Sequence, residues 1–134
     1  EYIGSLCDYY RQSYDLSRKQ ITIATELGNT PPVSMDQLIT LGLILNEALI
    51  NAIKYAFDGR PGIIDIRCVT EKELITFTIA DNGKGLPPGI VVKKSGSLGM
   101  QLIEGLAMQL KAKLSIDGHN GTSISLTFKP AAPK

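Results

Sequence analysis

With 134 residues the chain is sized for one domain, large enough to bury a core without disulfide or metal staples. Hydrophobic residues make up 43% and charged residues 20%, the balance of a globular protein, and a net charge of +1 excludes a bulk electrostatic pull toward nucleic acid or an anionic membrane. Cys7 and Cys68 fit no ligand spacing and His119 is the single histidine, which excludes a Cys/His zinc site; the two cysteines read as reduced thiols of a cytoplasmic protein. No apolar run reaches the roughly 18 residues of a membrane span, and no secretory leader is visible.

In chain order, residues 1–16 carry Ile3, Leu6, Cys7, Tyr10 and Tyr14 at helical spacing. The chain starts inside this expected helix and without Met, so it is expected to be a piece of something longer. "QITIATEL" alternates like a strand, and "GNTPPVS" is a loop offering Ser34 or Asp36 as an N-cap. A long helix is expected from about Asp36 to Phe57, ended by "DGRPG". "IIDIRCV" and "ELITFTIAD" are two strands, expected to form a hairpin through "TEK". "NGKGLPPG" suits neither helix nor strand and opens a loop that runs to about Ser95. "SLGMQLIEGLAMQLK" is a second helix with Leu98, Leu102, Leu106 and Leu110 on one stripe, and "AKLSIDGHNGTSISLTFKP" is a closing hairpin around Asp117–Gly121. Strands and helices fall in separate blocks, so the class is α+β, with an antiparallel or mixed sheet carrying helices on one face.

The long helix holds a contradiction. At about 100° per residue, Leu38, Leu41, Leu45, Ala48, Ala52 and Ala56 fall on one narrow stripe. Glu47, Asn51, Lys54 and Asp58 fall roughly opposite, yet Leu43, Ile44 and Ile50 flank them. One explanation is a solvated helix face. A surface helix, however, favours Glu/Lys pairs over Asn, and its apolar flanks would lie in water. The alternative is a polar strip at the floor of a cavity. There the Asn51 amide oxygen suits a hard cation such as Mg²⁺, which takes few protein ligands. Glu47, one turn earlier, reaches the same point and would position or deprotonate an attacking group, and Lys54 would meet a phosphate.

Two glycine segments follow. Asp81 ends an apolar strand before Gly83 and Gly85, and taken alone D-N-G is foremost a turn signature. A dinucleotide fingerprint is excluded because Pro87 and Pro88 forbid a helix opening on these glycines, and the chain has no P-loop motif. Gly96 and Gly99 sit at the start of the second helix, where unpaired N–H groups suit phosphate, with Lys93 and Lys94 adding charge; a flexible loop with a Ser cap reads equally well. Thr122, by itself, is simply a good strand residue.

Taken in order, the pieces resemble the Bergerat-fold (GHKL-type) ATPases, and among them the catalytic domain of sensor histidine kinases. "NEALINAIKYAF" resembles the N box, "DNGKGLP" the first glycine box, "SGSLGMQLI" the second and "NGTSISLTF" the final strand, over about residues 20 to 129. The resemblance implies a two-layer α/β sandwich with a mixed, mostly antiparallel sheet packed on helices. It implies that Asn51 holds Mg²⁺ bridging the phosphates of ATP, that Glu47 orients or activates the nucleophile, that Lys54 contacts phosphate and that Tyr55 lies beside the nucleotide. Asp81 would accept the adenine amino group with Thr122 in support. Gly83, Gly85 and Leu86 would form the base's bed, and Gly96, Leu98 and Gly99 would close over the phosphates. Guanine presents a carbonyl where adenine has its amine, so an unpaired Asp81 would favour ATP over GTP by about 1–3 kcal/mol or more.

The resemblance also implies partners. Residues 1–16 would end a helix from an upstream dimerisation and phosphoacceptor domain, residues 17–134 would be the ATP-binding domain, and the full-length protein would be a homodimer serving a response regulator. The phosphoacceptor histidine would lie upstream, because His119 sits in the turn "DGHNG". The other readings are an ATPase in which Glu47 activates water, a serine kinase of the anti-sigma-factor type, and an interaction module that binds no nucleotide. No contact of this domain with nucleic acid or membrane is expected.

Overall fold

The computed structural model describes residues 2–13, 20–28, 33–53, 61–83, 98–118 and 121–131. Alternation in the strands sets the architecture: Ile64 and Ile66, then Ile75, Phe77 and Ile79, then Ile124, Leu126 and Phe128 all point to one side and are buried. The elements are α1 (Tyr2–Ser13), β1 (Ile21–Leu27), α2 (Met35–Asn51), β2 (Gly62–Glu71), β3 (Leu74–Asp81), α3 (Leu98–Leu110), β4 (Lys113–Asp117) and β5 (Ser123–Phe128). The sheet order is β1-β2-β3-β5-β4, with β1 parallel to β2 and every other pairing antiparallel. The fold is therefore the expected α+β arrangement with a mixed, mostly antiparallel sheet.

One core joins the inward sheet residues to all three helices, through Cys7 and Tyr10 of α1, Ile44, Leu45 and Leu49 of α2, and Ile103 and Leu106 of α3. Arg11 of α1 donates to the Ile23 carbonyl of β1 at 2.7 Å and pairs with Asp8. The other sheet face carries hydroxyl pairs, Thr76 with Thr127 and Thr78 with Ser125, each at 3.2 Å. None of the described helices is long and apolar enough to cross a membrane.

Ser34 is the N-cap of α2, and Asp36 lies in its first turn. Ser34 Oγ accepts from Gln37 N, and the Gln37 side chain accepts from Ser34 N, a reciprocal capping box. Gln37 reaches further, donating to Lys129 O and accepting from Ala131 N, each at 2.9 Å, so α2 begins stitched to the segment that leaves β5.

Three expectations need correction. The β2–β3 turn is Lys72–Glu73, not "TEK"; φ of +50° and +66° make it a two-residue turn with both central residues left-handed, which matches the twist of the strands. The buried stripe of α3 is Ile103, Leu106, Ala107 and Leu110, while Leu102 is 45% exposed, because the packed face is centred one residue on from the leucine spacing. On α2, Ile44 is fully buried and Ile50 packs partly buried against the core, but Leu43 is 49% exposed, so the apolar wall beside the polar strip is incomplete at Leu43. The helix continues past Asn51 through Ala52 and Ile53 in a wider, π-type turn; the rest of the expected span, to Phe57, lies outside the described residues.

Candidate functional site

The end of β3 is tied to both of its neighbours. In an antiparallel hydrogen-bonded pair, two facing residues exchange main-chain N–H···O bonds in both directions. At Asp81 and Asn82 each exchange is half side chain. Asp81 N donates to Thr122 O at 2.9 Å, but Thr122 N returns its bond to the Asp81 carboxylate, Oδ1, at 3.3 Å. Asn82 N donates to Ile63 O at 3.2 Å, and Ile63 N returns its bond to Asn82 Oδ1 at 2.8 Å. The side-chain oxygens complete the ladder toward β5 and β2, so the main chain is free to turn. It does so at once, and Gly83 N folds back onto Asp81 Oδ1 at 2.9 Å.

Gly121 makes this approach possible. Its φ is +93°, and a Cβ placed there would stand 2.1 Å from the Asp81 carbonyl oxygen, which no side chain tolerates. Burial pushes the Asp81 carboxyl above its ordinary pKa, and the N–H groups of Gly83 and Thr122 oppose the rise. Both of those bonds fall on Oδ1; among the described residues none falls on Oδ2, which leaves one lone-pair-bearing oxygen of a half-buried carboxylate for a ligand.

The second group lies on α2. Glu47 and Asn51 are half-buried, one helical turn apart on one side, beside the wide turn at Ala52 and Ile53. No cluster of three or more His, Cys, Asp or Glu among the described residues would cage a metal. An amide oxygen with a carboxylate one turn away does fit Mg²⁺, which binds through one or two protein oxygens and takes waters and phosphate oxygens for the rest. Among the described residues no hydrogen bond joins this pair to the Asp81 group.

The structure thus brings Asp81, Gly83 and Thr122 into direct contact and sets Glu47 beside Asn51. Leu98 and Gly99 form the first turn of α3, where Gly99 was expected. Lys54, Tyr55, Gly85, Leu86, Gly96, Lys93, Lys94 and His119 lie outside the described residues. Sequence reasoning passed over two residues. Asn82 was read only as part of a turn signature, although Asn side chains commonly replace a backbone acceptor. Gly121 enters the sequence reading only as the end of the closing hairpin's turn, although an isolated glycine beside a strand marks a close backbone approach.

Residues 13–128 match the family described as the histidine kinase-like ATPase domain. The chain is 30% identical over 101 residues to blue-light-activated histidine kinase 2 of Erythrobacter litoralis, covering 73% of this chain and 29% of that protein. It is 31% identical over 75 residues to the anti-sigma F factor of Bacillus cytotoxicus, covering 55% of this chain and 51% of that one. Among solved structures, the histidine kinase domain of the Erythrobacter litoralis EL346 blue-light activated histidine kinase superposes with a TM-score of 0.83 at 25% identity, covering 95% of this chain and 62% of that chain.

Proposed function

The chain belongs to the histidine kinase-like ATPase domain family, and from that premise we propose that it is the ATP-binding catalytic domain of a two-component sensor histidine kinase. The observation that carries the reading is the Asp81 carboxylate, held by two N–H groups on Oδ1, with Oδ2 bonded by no described residue. Adenine donates its exocyclic amine to Oδ2. A guanine carbonyl in that place meets a second acceptor and is rejected.

The triphosphate then runs toward α2, where Asn51 lends its amide oxygen and Glu47 holds or deprotonates the attacking group. Mg²⁺, when bound there, would neutralise charge on the phosphate oxygens. Lys54 adds a point charge, Tyr55 lies beside the nucleotide, and Gly85, Leu86, Gly96, Leu98 and Gly99 close around it. The γ-phosphoryl passes in line to a histidine imidazole on an upstream helical domain, and from there to an aspartate of a response regulator. In such a transfer the protein supplies positioning and charge neutralisation rather than covalent chemistry. Residues 1–16, which include the helix α1 that packs Cys7 and Tyr10 into the domain core, are the lead-in from that upstream domain.

Titration with ATP tests the site. Asp81→Asn should weaken ATP by about 10–100-fold with or without Mg²⁺, the worth of one charge-assisted hydrogen bond. Asn51→Ala should remove only the Mg²⁺-dependent part of the affinity. Parent-like Mg-ATP binding by both variants would show the site to be elsewhere.

The similarity to an anti-sigma F factor supports a second reading, a kinase acting on a serine of a partner protein. Phosphate stable to acid on a partner's serine would favour it; acid-labile phosphate on a histidine would favour the sensor kinase.

A further inference from the structure

We infer that Asn82 is a positioning residue for purine recognition, fixing the carboxylate of Asp81 through strand β2 without touching the nucleotide. The inference rests on the assignment of adenine to Asp81. Three backbone segments meet at the end of β3, and each is tied by a side-chain oxygen of Asp81 or Asn82. Asp81 Oδ1 ties the β5 side and the turn at Gly83; Asn82 Oδ1 ties the β2 side. These two residues are adjacent, so their main-chain N–H groups point to opposite neighbours, Asp81 to Thr122 and Asn82 to Ile63, and each side-chain oxygen takes the return bond on its own side, which pins the peptide between them from both flanks.

The consequence is geometric. Burial and its own two bonds act on the Asp81 carboxylate directly, but the orientation of the carboxylate follows the peptide that precedes Gly83. Were Asn82 unable to accept from Ile63 N, that N–H would lose its partner, the last rung between β2 and β3 would keep only the bond from Asn82 N to Ile63 O, and the turn would open toward β5. A ligand held by one oxygen of Asp81 reads that displacement directly, because a shift of about 1 Å breaks a hydrogen bond. Phosphate contacts on α2 would not register it.

The test separates these two effects. Affinities of the whole chain are measured for ATP and for purine riboside triphosphate, the same nucleotide without the exocyclic amine. The ratio of the two reports the amine contact alone. Asn82→Ala should lower this ratio by about fivefold and speed hydrogen exchange at the Ile63 amide. Asn82→Asp, which keeps an acceptor oxygen at the same place, should restore both. Asn82→Ala weakening the two nucleotides equally, or leaving the ratio at the parent value, would overturn the inference, provided that Asp81→Asn abolishes discrimination. An unchanged ratio in Asp81→Asn would instead remove the adenine assignment and the inference with it.

Discussion

At the scale of single residues, Asp81 serves two opposed ends in the proposed reading. Its Oδ1 is structural, and its burial raises the cost of the charge that the proposed recognition of adenine requires. Below about pH 4 the carboxyl is protonated in the folded and the unfolded chain alike, and burying it carries no charge penalty. As pH rises through the raised folded pKa, the unfolded chain releases the proton first, and stability declines. Asp81→Asn removes the titration while keeping an acceptor oxygen for Gly83 and Thr122. The variant should therefore gain stability over the parent as pH rises from 4 to 7 and show no gain below pH 4, measured by urea midpoints across that range. Discrimination between ATP and purine riboside triphosphate should run the other way in the parent, falling on acidification at a pH above the ordinary carboxylate range. A gain in stability that grew on acidification would contradict the sign of the shift.

At the scale of elements, α2 is secured at its start more firmly than its sequence suggests. Gln37 closes the capping box with Ser34 and also clamps the main chain at Lys129 and Ala131. Gln37→Ala removes all three side-chain bonds, and unfolding free energy should drop by about 1–2 kcal/mol, with faster exchange at the Ala131 amide; a parent-like midpoint would show the clamp to be idle. The Ser34 cap was legible because it depends on local spacing, but a contact between residues 37 and 131 has no local signature. The β2–β3 turn was misplaced for a related reason. Two-residue turns of this kind are read from Asn-Gly or Asp-Gly, and Lys72–Glu73 adopts positive φ without either, held by the ladder on both sides. Among the described residues the other helices and strands follow the periodicity of the sequence, since each carries an apolar face toward one core. Within the candidate site, Asp81 and Thr122 stand out in the sequence as residues of a motif, whereas Gly121 and Asn82 matter through contacts across the sheet, which spacing does not record.

At the scale of the whole molecule, the described helices cover one face of the sheet, Arg11 takes up the Ile23 carbonyl of the edge strand β1, and Arg67 of β2 pairs with Glu26 of β1 and with Asp65. In the proposed reading the ligand lies at the end of β3 and along α2. This bears on where a phosphoryl group can go. His119 precedes Gly121 by two residues, and Gly121 lies against Asp81, the residue assigned to the base. In-line transfer needs the nucleophile within about 3–3.5 Å of the γ-phosphorus, and a nucleotide's length separates its base from that atom. The chain alone should therefore bind ATP and yet acquire no label on His119 when incubated with γ-labelled ATP. Slow release of free phosphate, lost in Glu47→Gln, would point instead to water as the acceptor, as in the ATPase reading. Transfer to a helical histidine domain supplied in trans is the outcome expected of a sensor kinase, and covalent label on His119 would place the γ-phosphate at the wrong end of the site.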